Sequence, residues 1–342
     1  MAKAALAPAA GLQPVVEEQV AAGELDARLS GARTPFVVRG LITDWPLVKA
    51  GLESGAAARA YLLEHRRDRA FTVNIGEPGA GDRLFYNEAM AMNFRTGRAG
   101  LAEIFAGIDA NEDRRDAPVI YLSSIDVKDY FEGLHEANHV DLGAREPIES
   151  IWIGTRTRIA AHNDFPNNLA CCAVGRRRFT LFPPSQFANL YVGPLDHTPA
   201  GRPVSMVDLR QPDFDKYPRF REALASAQVT ELGPGDAIFI PSMWWHHVEG
   251  TEPFNVLVNY WWRDTPHYLA QPQDALHHAL LAIRDLPAEE RELWHQMFDF
   301  YVFGDAAAAA AHIPEGSRGI LDPLDAENAG RIRANLLRSL SR

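Results

Sequence analysis

The chain has 342 residues, 46% of them hydrophobic and 23% charged, and its 34 basic and 45 acidic side chains leave a formal charge of −11. That balance describes a folded, soluble protein long enough for one large domain with an appendage or for two domains. It argues against direct binding to a nucleic-acid backbone, whose affinity comes from lysine and arginine, and no apolar run reaches the roughly 18 residues of a membrane helix.

The first residues, Met1 to Pro8, contain one lysine and several alanines without an apolar segment and cleavage site, so they read as a loose tail. Residues 13–30 are predicted to be helical. Thr34 to Gly40 then gives a β-branched run closed by glycine, and Asp44-Trp45-Pro46 marks a turn. Helical spacing resumes from Val48 to Arg66, Phe71 to Ile75 alternates as a strand does, and a further helix is predicted over 87–107. From Pro118 the character changes. Val119 to Leu122, Glu149 to Gly154, Arg158 to His162, Leu169 to Val174, Arg177 to Phe182, Ala237 to Ile240 and Phe254 to Trp262 are short strand candidates separated by turn residues, the pattern of a sandwich or barrel such as the jelly roll. After about residue 266 the strands stop, and residues 275–284, 288–303 and 326–340 are predicted to be amphipathic helices joined in part by the alanine run 306–311. The adjacent Cys171 and Cys172 cannot form an ordinary disulfide, which fits a strand role and a reducing, cytoplasmic setting.

One constellation carries chemistry. His162 and Asp164, two apart on an extended strand, share a face, because strand side chains alternate with a period of two. A further histidine from Trp244-Trp245-His246-His247, reached from the turn Gly233-Pro234-Gly235-Asp236 and the strand 237–240, completes two imidazoles and one carboxylate. That ligand set suits a non-heme Fe(II) oxygenase. Adjacent strand residues face opposite ways, so only one of His246 and His247 can ligate. His135-Glu136-Ala137-Asn138-His139 matches the pattern of a zinc-protease helix, but it has no evident third ligand and its neighbours Gly133 and Asn138 oppose a long helix. His277, His278 and His295 lie in the helical tail and are expected in solvent or at a subunit contact.

Together, His162-x-Asp164, Leu181-Phe182-Pro183-Pro184, Gly235-Asp236 through Ile240-Pro241 to Trp244-Trp245-His246, and Val258-Asn259-Tyr260-Trp261 resemble the cupin-like branch of JmjC-type 2-oxoglutarate oxygenases, the branch of the asparaginyl hydroxylase of hypoxia-inducible factor. The resemblance runs from about Pro35 to Trp261. It implies a double-stranded β-helix with flanking helices: a tail and helix over 1–30, the cupin-like JmjC domain with α/β decoration over 31–265, and a helical region over 266–342 that is a candidate homodimer element. It makes His162, Asp164 and His246 the iron ligands, selecting His246 over His247. In the family a lysine on the strand after the His-x-Asp loop holds the far carboxylate of 2-oxoglutarate. Here Arg177 stands there, sharing a strand face with Phe179 and Leu181, while Arg176 and Arg178 should face outward. Tyr121 matches a tyrosine that helps hold that carboxylate, Asn168 and Asn259 match amides near cosubstrate and metal, and Trp261 matches a position beside the iron. The family threonine before His-x-Asp is represented by Ile159 or Thr157. The implied activity is Fe(II)- and 2-oxoglutarate-dependent hydroxylation, most simply of a protein or peptide side chain, with a small molecule as the alternative substrate. A metal-binding cupin without oxygenase activity is the alternative function, and it turns on Arg177.

Overall fold

The strand candidates from residue 118 onward all form strands in the computed structural model, which describes residues 11–341 apart from 22, 78, 113 and 115. The expected tail at the extreme N-terminus lies outside the described residues. In chain order the strands are β1 (Gln13–Pro14), β2 (Val16–Glu17), β3 (Phe36–Val38), β4 (Phe71–Gly76), β5 (Arg83–Leu84), β6 (Phe94–Ala99), β7 (Ile120–Asp126), β8 (Ile148–Gly154), β9 (Thr157–Asn163), β10 (Asn167–Val174), β11 (Arg177–Phe182), β12 (Gln228–Leu232), β13 (Ala237–Ile240), β14 (Trp245–Gly250) and β15 (Asn255–Trp262).

They build two sheets, one ordered β1-β12-β11-β14-β9-β5 and the other β2-β3-β13-β10-β15-β8-β7-β4-β6. Strands β8 to β11 alternate between the sheets, and β12 to β15 return antiparallel along them. This is a jelly roll. Ala170, Cys172, Phe179, Leu181, Ile238 and Leu257 form the core between the sheets. Leu169, Cys171, Ala173, Phe239 and Val258 point the other way and pack with Leu47, Val48, Leu62, Phe105 and Ile108 of the helices Pro46–Glu53, Gly55–His65 and Leu101–Asp109. The two adjacent cysteines therefore sit on opposite faces of β10, both fully buried and unbridged.

Two expected helices are corrected. Residues 13–30 are helical only at Leu25–Gly31; before that, Val15 N bonds Val229 O (3.1 Å) and Glu18 N bonds Val37 O (2.8 Å), so pairing with distant strands overrides local spacing. Over 87–107 the helix occupies only Leu101–Asp109. The Asn87 side chain accepts from the N–H groups of Ala89 and Ala91 (3.0 Å each), closing a turn in competition with a helix, and 94–99 pairs with β4 instead.

The chain divides into a unit ending at Arg263 and a second unit, Asp264–Arg342. The second contains the helices Pro272–Ala282, Ala288–Phe298 with a π-turn to Phe303, Ala306–Ala310 and Ala326–Leu340. Asp305 and Asp325 cap the last two by accepting main-chain N–H bonds. Among the described residues no helix is long and apolar enough to cross a membrane.

Candidate active site

His162 on β9 and His246 on β14 are direct partners across the sheet, their ring centroids 4.3 Å apart. The next pair along is Ile159 with Val248, so β9 carries one extra residue there, a bulge formed by Ala160 and Ala161. The bulge lets both Ile159 and His162 face the same cavity although they are three apart. Asp164 lies just past the end of β9 rather than on it, yet its carboxylate reaches within 3.6 Å of His246 Nε2. One ligand atom from each of His162, Asp164 and His246 lies within 4.8 Å of the others, the one such cluster among the described residues.

Both imidazoles are oriented for ligation through Nε2. Nδ1 of His162 lies 2.9 Å from the Ala160 carbonyl and Nδ1 of His246 lies 3.1 Å from the Trp244 carbonyl. A carbonyl only accepts, so each Nδ1 carries the proton and each Nε2 offers its lone pair. Burial, with His246 nearby, depresses the His162 pKa to about 4 and keeps that ring neutral. For Asp164 burial pushes upward, but the two histidines and Arg202 outweigh it and hold the carboxyl near about 2. An oriented imidazole pair beside an ionised carboxylate is a donor set that fits a divalent first-row metal. His247 points away from this cluster, 3.3 Å from Glu249 on the outer face of the sheet.

The same cavity, of about 680 Å³, extends from the metal ligands to Arg177 on β11. Arg177 is 2% exposed, and its Nε and Nη2 have no hydrogen-bond partner among the described residues. Phe179 shares its face, whereas Arg176 is exposed and Arg178 pairs with Glu231 at 2.6 Å. The strand parity thus runs as expected. A buried guanidinium with two unsatisfied donors is costly unless a ligand meets them. Beside it the phenol of Tyr121 is pushed upward by burial and drawn partly back by Arg177, and so remains a protonated donor. Two donors of one planar fork plus a phenol match the geometry of a carboxylate.

Asn168 on β10 and Asn259 on β15 also line the cavity, and Asn259 donates to Asn168 Oδ1 at 2.7 Å. The remaining Asn259 oxygen and the Trp261 indole N–H are buried without a partner. Sequence reasoning missed Trp152 on β8. Its ring stands 6.1 Å from Tyr121 and 5.8 Å from Trp261, it lines the cavity, and its indole N–H is likewise unpaired. The available signal was its place within the strand candidate Glu149 to Gly154. Ile159 lines the cavity while Thr157 turns its hydroxyl to the Thr155 carbonyl (2.8 Å), so the position before His162 is apolar.

The 135–139 motif makes no metal site. Its helix is the single turn Leu134–Ala137, and His135 hydrogen-bonds to buried Glu149. His277 and His295 lie exposed in the second unit.

A model of the cupin-like domain matches residues 22–268, most of the chain and every strand from β3 to β15. The chain belongs to the cupin-like domain family. Among curated proteins, the cupin-like chain is 36% identical over 115 residues to a protein named lysine-specific demethylase JMJ31 from Arabidopsis thaliana, covering 33% of this chain and 20% of that protein. It is 29% identical over 156 residues to human HSPB1-associated protein 1, with coverages of 44% and 31%. It is 30% identical over 148 residues to the chicken tRNA wybutosine-synthesizing protein 5, with coverages of 39% and 43%. These matches span less than half the length of each relative.

Proposed function

We propose that this cupin-like protein is an Fe(II)- and 2-oxoglutarate-dependent oxygenase that hydroxylates a protein side chain. The observation that carries the reading is Arg177: a buried cation with two unsatisfied donors in the same cavity as a His-Asp-His donor set. A metal-binding cupin with no anionic cosubstrate would have no use for that cation. His162, Asp164 and His246 would hold the metal; Arg177 and Tyr121 would take the far carboxylate of 2-oxoglutarate. When bound, iron and 2-oxoglutarate supply the oxidising chemistry, which the side chains do not. The chain's part is to fix geometry and exclude water, the latter through Leu84, Phe94, Trp152, Ile159, Phe179 and Leu257 on the cavity wall.

The cavity has several times the volume of a five-carbon keto diacid, which leaves room for a target side chain. Apart from Asp164 no acidic residue among those described lines it, whereas Arg177 and Arg202 do. Thr72, Asn74, Thr96 and Ser123 also line it, with Thr96 donating to Asn74 Oδ1 at 2.7 Å. A neutral polar target fits this lining better than a methylated lysine, whose positive charge would meet no counter-ion. This favours hydroxylation of a neutral side chain over the demethylation that one relative's name describes. The two buried free thiols support a reducing, cytoplasmic setting as part of the same proposal. We further propose self-association through the second unit, where Leu281, Phe303 and Leu337 are 78%, 76% and 67% exposed.

The test is incubation with Fe(II), 2-oxoglutarate and oxygen, with and without a pool of peptides. Succinate formation that requires all three, and a peptide mass gain of one oxygen, is the expected result. Metal binding without any 2-oxoglutarate consumption would favour the non-oxygenase cupin instead.

A further inference from the structure

Asp164 is the one candidate ligand without a place in a strand, since β9 ends at Asn163 and β10 begins at Asn167. His162 and His246 are held opposite each other by the sheet itself. Arg202 donates to the neighbouring Asn163 carbonyl at 3.0 Å, and the turn that leads into β14 ties down the rest of the Asp164 loop. Met243 N–H donates to the Asp164 carbonyl at 2.8 Å, the Ser242 hydroxyl donates to the Phe165 carbonyl at 2.6 Å, and Ser242 N–H donates to the Asn167 side-chain oxygen at 3.0 Å. The turn is closed on itself by Trp244 N–H to the Pro241 carbonyl at 3.2 Å. Met243 stands at φ +67°, a left-handed conformation that non-glycine residues seldom occupy. Met243 and Ser242 are both exposed, so neither is held there by burial of its side chain.

We propose that Pro241–Trp244 is a positioning clamp for the metal, in which Ser242 and Met243 act through the 164–167 loop to set the Asp164 carboxylate opposite His246. The inference rests on the metal reading given above and adds residues to it that touch no ligand atom. The three bonds tie the two ligand-bearing segments at the one point where the β-ladder does not. Without them Asp164 would have to be ordered by the metal at the moment of binding, and the ordering cost would appear as lost affinity.

Co(II) serves as the probe, because its visible absorption reports ligand number and geometry. Ser242→Ala removes the hydroxyl bond alone, and Ser242→Thr keeps it. The clamp predicts about ten-fold weaker Co(II) binding by Ser242→Ala, which corresponds to about 1.4 kcal/mol, with an altered Co(II) spectrum. Ser242→Thr should return both to wild type, and the thermal midpoint of metal-free Ser242→Ala should match that of the metal-free wild type. Co(II) affinity of Ser242→Ala equal to wild type would overturn the inference, as would a loss matched by an equal fall in the stability of the metal-free protein. A wild-type chain that binds no Co(II) would overturn the metal reading itself, and the clamp with it.

Discussion

The barrel unit and the C-terminal unit are unsatisfied in opposite ways. In the barrel unit most apolar side chains are buried in packed clusters, and one cavity wall carries several polar atoms without a partner among the described residues: Arg177 Nε and Nη2, Asn259 Oδ1, and the indole N–H groups of Trp152 and Trp261. In Asp264–Arg342 it is apolar surface that is left over. Most of the exposed large hydrophobic side chains among the described residues belong to this unit, although it is less than a quarter of the chain. Unpaired buried donors call for a small polar ligand, and exposed leucines and phenylalanines call for a protein surface. Under the function proposed above, the contrast separates a small ligand from a protein partner and gives each its own unit.

The largest effect is expected at the metal ligands. His246→Ala should abolish stoichiometric metal binding, whereas His247→Ala should spare it, because His247 faces Glu249 on the outside of the sheet. Equilibrium dialysis with Co(II) reads the difference, and the reverse pattern would mean that β14 faces the other way. The second unit should respond next. Leu281→Glu combined with Phe303→Glu should convert a dimer into a monomer, seen by light scattering at micromolar concentration, with the cavity chemistry of the barrel retained. A wild type that is already monomeric at that concentration removes the need for an apolar partner.

The smallest effect concerns acid stability on the outer face of the metal-bearing strands. There Arg210 bridges Glu249 (2.5 Å) and Asp82 (2.8 Å), and Arg158 bridges Asp82 (2.6 Å) and Asp208 (2.9 Å). Burial pushes the Glu249 carboxyl upward, but His247 and Arg210 outweigh it and hold the carboxyl at about 2 against an ordinary 4.5. A folded-state pKa below the unfolded one stabilises the protein above the ordinary value, and that contribution is lost as pH falls toward the folded one. Glu249→Gln should therefore flatten the fall in thermal midpoint between about pH 4.5 and 2, measured on the metal-free protein. An unchanged slope would show that Glu249 is not held ionised by this network.

Much of this was legible from sequence because the barrel strands are buried and β-branched, and alternation alone put Arg177, Phe179 and Leu181 on one face. His162 was legible because the His-x-Asp spacing suits an extended strand, whereas His246 was singled out from His247 by the family resemblance. The missed strands share one cause. Residues 13–17 and 94–99 are strands only because a distant strand supplies their main-chain partners, and no local pattern records that. Trp152 and Ser242 escaped for a related reason: one matters for a hydrogen bond it does not make, and the other for bonds across 75 and 77 residues of chain.

The account stands on Arg177, and titration of 2-oxoglutarate into the Mn(II)-loaded protein tests it most directly. A charge-assisted bond of about 1.5–3 kcal/mol predicts that Arg177→Ala weakens 2-oxoglutarate binding by roughly 10- to 150-fold at about 1.4 kcal/mol per decade, with Mn(II) affinity unchanged. Arg177→Lys should keep part of the affinity, because it restores the charge without the planar fork, and the exposed Arg176→Ala should behave as wild type. Undiminished 2-oxoglutarate binding by Arg177→Ala, or a loss caused by Arg176→Ala instead, would contradict the reading of this cavity as a cosubstrate site.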